Sequence, residues 1–128
     1  MMLFVIFLGG GAGAVSRYLL SLGIGSLWDG SFPLGTFLIN LIGCFLIGIL
    51  GGLTEKVPLD PHLRAALQTG FLGGFTTFSS FGLETFQLFR RGQAAEAAAN
   101  LIGSNVLGVL LVFAGFFVSK FLFSRKVL

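Results

Sequence analysis

Residues 70–81 read Gly70-Phe-Leu-Gly-Gly-Phe-Thr-Thr-Phe-Ser-Ser-Phe81, so glycines, hydroxyls and phenylalanines alternate inside an otherwise apolar, helix-length stretch. Glycine weakens a helix, and irregular backbone survives at membrane depth only where protein or a water-lined cavity satisfies the freed groups. The run therefore predicts a membrane helix broken near its middle, with carbonyls at Gly73 to Thr77 freed to coordinate a small cation. Beyond the break, Phe78 and Phe81 stand three apart on one helical face. Such a stripe serves packing or lipid contact; alternatively, its positively polarised ring edges face an anion in a pore too dry for water. Asn40 shares a face with Thr36 and Gly43, and its buried amide either locks two helices together or offers N–H groups to an anion. Asn100, Ser104 and Gly108 follow one another at i+4 spacing, a polar stripe that suits close packing as well as pore lining. Arg17, near the end of an apolar run, either snorkels or makes a structural bond, or it faces an aqueous vestibule that anions enter.

Positioning these groups requires membrane helices. The 128 residues are 55% hydrophobic and only 10% charged, with a mean hydropathy of +0.96. That balance excludes an ordinary soluble domain. Segments of about 20 apolar residues can span a hydrocarbon core. Residues 3–22, 32–53, 62–89 and 97–118 qualify, which predicts an all-α membrane protein with four transmembrane helices in a single domain, residues 1–128. An unbroken helix over 62–89 would reach about 42 Å against roughly 30 Å of hydrocarbon. Short connections at 29–33, 54–61 and 90–92 make consecutive helices antiparallel neighbours and leave no room for a soluble catalytic module. Asp60 should cap the third helix with Pro61 at its first position, and Gly92 should close that helix after Arg90 and Arg91.

Charge and cysteine usage say little more. The pI near 9.6 does not point to nucleic acid, because the few cations sit at segment ends. One face collects Lys56, Arg64, Lys120, Arg125 and Lys126, the other Arg17, Arg90 and Arg91, a weak bias that leaves insertion in both orientations open. The first apolar run has no basic leader and reads as a retained helix. Cys44 can form no intrachain disulfide and reads as a small packing residue, and His62 beside Pro61 reads as a solvated side chain. Gly9 and Gly13 form a GxxxG pair for close helix packing.

The motifs Gly10-Gly-Ala-Gly-Ala-Val-Ser-Arg17-Tyr18, Gly35-Thr36-x3-Asn40-x2-Gly43-x-Phe45-x2-Gly48 and Gly70-Phe-x-Gly-Gly-x-Thr-Thr-Phe-Ser-x-Phe81 resemble the CrcB/Fluc fluoride channels over essentially the whole chain. The resemblance implies an antiparallel, dual-topology homodimer of four-helix subunits with two fluoride pores and a central structural sodium ion. It implies a multi-pass protein of a prokaryotic inner (plasma) membrane, with no catalytic role and no nucleic-acid partner. On the matching positions, Phe78 and Phe81 are the pore rings, Asn40 meets the ion, and Thr77, Ser79 and Ser104 belong to the pore. Arg17 belongs to the vestibule, and Gly73 and Thr76 offer backbone carbonyls to sodium. Asn100 and Gly108 depart from the pattern, standing where some members carry an aromatic and another serine.

Two rival readings give different expectations. A small dual-topology multidrug exporter needs a carboxylate in the membrane interior. Asp29, Glu55, Asp60 and Glu96 fall in or beside loops, and Glu84 is expected near a helix end as a solvated or vestibule carboxylate. A non-conducting accessory protein would explain the glycines but not polar groups on three separate helices.

Overall fold

A computed structural model describes residues 1–124; Arg125 and Lys126, assigned above to one membrane face, lie outside the described residues. The described residues form helices and no strand. α1 spans Met2–Leu27, α2 spans Leu34–Thr54, and the last helix spans Ala94–Ser124. All three are long and apolar enough to cross a membrane. α1 runs five residues past the expected end, because Gly23 and Gly25 are tolerated within it and the chain turns extended only at Trp28. The Trp28 indole N–H then donates to the Phe32 carbonyl at 2.9 Å, tying down the first connection.

The third segment is not one helix. α3 (Pro61–Arg64) passes into a π-helical stretch, Ala65–Leu72, then into one α-turn, α4 (Gly73–Phe75), before α5 (Phe78–Arg90) restarts the helix. Asp60 caps α3 as expected, its carboxylate accepting from the amides of His62 and Leu63 at 2.9 and 3.2 Å. Gly92 adopts φ +75°, the left-handed conformation that closes a helix. The expected break is present, but it falls on Thr76 and Thr77, both extended, while Gly73 and Gly74 stay helical. Gly74 serves contact with α1 instead.

α1 packs on the third segment, and α2 packs along the last helix, here α6. Glycine sets both interfaces. A side chain at Gly74 would overlap the Gly10 carbonyl, and one at Gly13 would overlap the Phe71 carbonyl, so the glycine-rich first motif exists to let two backbones touch. Between α2 and α6, Gly48 meets the Val112 carbonyl and Gly115 meets the Phe45 carbonyl in the same way. Gly115→Leu should therefore abolish the folded species on size-exclusion chromatography, while Gly11→Ala, which has open space around it, should elute as wild type.

Candidate functional site

A break at membrane depth frees backbone groups that must be satisfied, each at a cost of several kcal/mol if left bare. Asn40 on α2 does this for Thr77. Its Nδ2 donates to the Thr77 carbonyl at 3.0 Å, and its Oδ1 accepts from the Thr77 amide at 2.8 Å. Thr77's amide would otherwise have bonded the Gly73 carbonyl, so the clamp is what releases that carbonyl from the helical ladder. The Thr77 hydroxyl caps the restarted helix, accepting from the Ser80 amide at 3.2 Å and donating to the Ser80 hydroxyl at 3.0 Å. Among the described residues Asn40 thus keeps its second Nδ2 hydrogen and one Oδ1 lone pair uncommitted.

The break opens onto a cavity of about 480 Å³ between α2, the third segment and α6. Asn40, Thr77, Phe78, Phe81 and Ser104 all line it, as do Gly73 and Thr76. Seven of the residues singled out by spacing therefore converge on one space, although they come from three separate segments. The two rings differ in setting: Phe81 is 6% exposed and packed within the subunit, whereas Phe78 is 81% exposed. Their centroids lie 5.4 Å apart with planes tilted by 45°. Ser79 faces outward on the first turn of α5, away from this cavity, with its hydroxyl 3.4 Å from that of Thr77. Cys44 lines this cavity and packs against Gly108 on α6, where a side chain would touch the Cys44 sulfur at 3.2 Å.

A second cavity, about 260 Å³, lies on the other side of Thr77 between α1, α2 and α5. Arg17, Thr36 and Glu84 line it. Arg17 makes a structural bond and faces this space at once, its Nε donating to the Gly74 carbonyl at 3.1 Å. Glu84 differs from expectation. Because the break restarts the helix at Phe78, Glu84 falls in the middle of α5 rather than near an end, and it is half-buried. The Thr36 hydroxyl donates to its Oε1 at 2.8 Å, and Oε2 is buried with no hydrogen-bond partner among the described residues.

Spacing alone did not show how α5 and α6 are joined. Thr85 donates to the Phe81 carbonyl at 2.8 Å, Asn100 donates to Thr85 at 2.9 Å, and Ser104 donates to Asn100 Oδ1 at 3.2 Å. Asn100, at 1% exposure, is the buried centre of this series. The Thr36–Glu84 pair was equally hidden, since the two lie 48 residues apart. The signal available in the sequence for the first case was the i+4 stripe on the last helix; the second had none.

These features define a multi-pass helical membrane protein built around a broken helix flanked by two cavities, one largely apolar and one more polar. The family model described as CrcB-like protein, Camphor Resistance (CrcB), matches residues 4–116. The chain belongs to that family. It is 44% identical over 118 residues to the fluoride-specific ion channel FluC of Phocaeicola vulgatus, which covers 92% of this chain and 98% of that relative. A relative of the same description from Aquifex aeolicus is 42% identical, covering 91% of this chain and 95% of its own length. Another from Methylobacillus flagellatus is 46% identical, covering 91% and 92%.

Proposed function

We propose that this protein is a fluoride-selective channel, not an enzyme, giving passive fluoride efflux and protection from fluoride toxicity. The observation that carries this reading is the convergence of Asn40, Thr77, Phe78, Phe81 and Ser104 on one cavity, in a chain whose relatives are described as fluoride-specific channels. Fluoride is small and strongly hydrated. A narrow path must replace its lost water with amide and hydroxyl donors and with positive ring edges, and must hold the ion weakly enough to release it. The free Nδ2 hydrogen of Asn40 and the edges of Phe78 and Phe81 are such groups. Ser79 extends the pore with its hydroxyl outside the cavity, and Arg17 draws anions toward the vestibule.

The working unit is an antiparallel, dual-topology homodimer with two pores, each subunit a single four-helix domain, in the inner (plasma) membrane of a prokaryote. Two features support it: the exposure of Phe78, a proposed pore ring, and the weak charge bias, five cations (Lys56, Arg64, Lys120, Arg125 and Lys126) on one face against three (Arg17, Arg90 and Arg91) on the other. A structural sodium ion fits the break. Gly73 and Thr76 line the cavity, and among the described residues neither carbonyl receives the i+4 amide of a continuous helix, because those of Thr77 and Ser80 are committed to Asn40 Oδ1 and Thr77 Oγ1. Hard carbonyl oxygens of this kind suit a hard cation, which would pin the two breaks together at the dimer centre.

Purified protein in liposomes loaded with potassium fluoride should release fluoride on addition of a potassium ionophore, read with a fluoride electrode, and chloride-loaded liposomes should retain their anion. Equal release of both anions, or release of neither, overturns the assignment. A proton-driven exporter would instead give drug transport dependent on Glu84.

A further inference from the structure

The series joining α5 to α6 has a direction that can be worked out from one end. The Phe81 carbonyl can only accept, so the Thr85 hydroxyl, 2.8 Å away, must donate to it. Having spent its hydrogen, Thr85 must accept at 2.9 Å from Asn100, which fixes Nδ2 on that side and Oδ1 on the other. Oδ1 accepts only, so Ser104 must donate its single hydrogen to it at 3.2 Å. The opposite amide orientation would set Thr85 and Phe81 oxygens against each other as two acceptors. Ser104 thus faces the cavity with lone pairs alone.

At Ser104 itself an anion finds no donor, although the adjacent Asn105 amide lines the same cavity. Resting on the fluoride-channel reading, we propose that Asn100 is a positioning residue of the pore wall: by consuming the Ser104 hydrogen, it makes that serine hold a water molecule, which donates one hydrogen to Ser104 Oγ and turns the other toward the ion. The ion then passes Ser104 partly hydrated, while Asn40, on α2, contacts it directly through its second N–H. Asn100 thereby shapes this wall through its bond to Ser104 Oγ rather than by touching the ion. It sets how much water the ion keeps, and so the affinity of the site.

The test removes the anchor of the series. Thr85→Val no longer fixes the Asn100 amide, which is then free to turn its Nδ2 to Ser104 and release the serine hydrogen to the cavity. Fluoride efflux from liposomes, measured across a range of fluoride concentrations, should show a half-saturating concentration shifted at least threefold in Thr85→Val and unshifted in Thr85→Ser, which keeps the donor. In a Ser104→Ala background the Thr85→Val shift should vanish, because no hydrogen remains to be released. Ser104→Ala alone should slow efflux severalfold, and Ser104→Thr should restore it. Independent, multiplying effects of Thr85→Val and Ser104→Ala, no shift in Thr85→Val, or unchanged efflux in Ser104→Ala each overturn the proposal. Should Thr85→Val not assemble, Asn100→Leu frees the same hydrogen and carries the same expectations. Failure of the wild-type protein to conduct fluoride would count against the channel reading itself, whereas a conducting wild type with any overturning result counts against the proposal alone.

Discussion

Asn40→Ala is expected to abolish fluoride efflux. The substitution strips two partners from Thr77, the donor to its carbonyl and the acceptor for its amide. Leaving a buried backbone donor and acceptor unsatisfied costs about 1 to 3 kcal/mol each, or about 2 to 6 kcal/mol together. Since 1.4 kcal/mol is a factor of ten in an equilibrium, the correctly broken segment should lose at least tenfold in population before any loss of ion contact is counted. Asn40→Asp separates the parts of this effect. The carboxylate can still accept from the Thr77 amide, but it sets lone pairs against the Thr77 carbonyl and against an approaching anion, so it should fail as completely as alanine. The fluoride-electrode assay on liposomes of equal protein content checks both, with size-exclusion chromatography confirming that the subunits remain assembled. Wild-type efflux in Asn40→Asp would show that neither the carbonyl nor the ion needs the amide hydrogens.

That one amide also shows how far the sequence could be read. An asparagine amid apolar residues announces that a polar partner must exist, and the choice between a helix-locking bond and an ion contact stayed open because both use the same atoms. The structure shows the amide making both bonds to one backbone residue with one hydrogen left over, so the two readings are compatible. The break was legible for a related reason: glycines next to paired threonines conflict with a continuous helix. Its exact residues were not, because Gly70 and Gly74, which weaken the ladder, are also needed for contact with α1, and both stay within helical backbone. The π-helical stretch Ala65–Leu72 has no marker of its own, as its i→i+5 bonding follows from how the chain is held between α1 and the break. Glu84 was misplaced by the same gap. Its distance from Arg90 suggested a helix end, and only the restart at Phe78 puts it mid-helix, with Thr36 as a partner that local spacing could not supply.

The two proposed pore rings, Phe78 and Phe81, should respond differently to loss of aromaticity, and the difference tests whether ring edges face the ion. Phe81 is packed among its own subunit's residues, so Phe81→Leu combines lost packing with any lost ring contact; large truncations of a buried ring cost about 3 to 5 kcal/mol, and leucine should cost part of that. Phe78 has little to lose within the subunit, being 81% exposed. Phe78→Leu keeps an apolar side chain of similar bulk and removes only the aromatic quadrupole. It should therefore leave the thermal midpoint in detergent and the assembled size unchanged while reducing fluoride efflux at least tenfold. Phe81→Leu should lower both. A lipid-facing or packing phenylalanine at position 78 predicts the reverse, wild-type efflux with leucine in its place, and that result would remove Phe78 from the pore. Because the two rings contact each other, with centroids 5.4 Å apart and planes at 45°, they act as one unit and their losses should not multiply in the double variant.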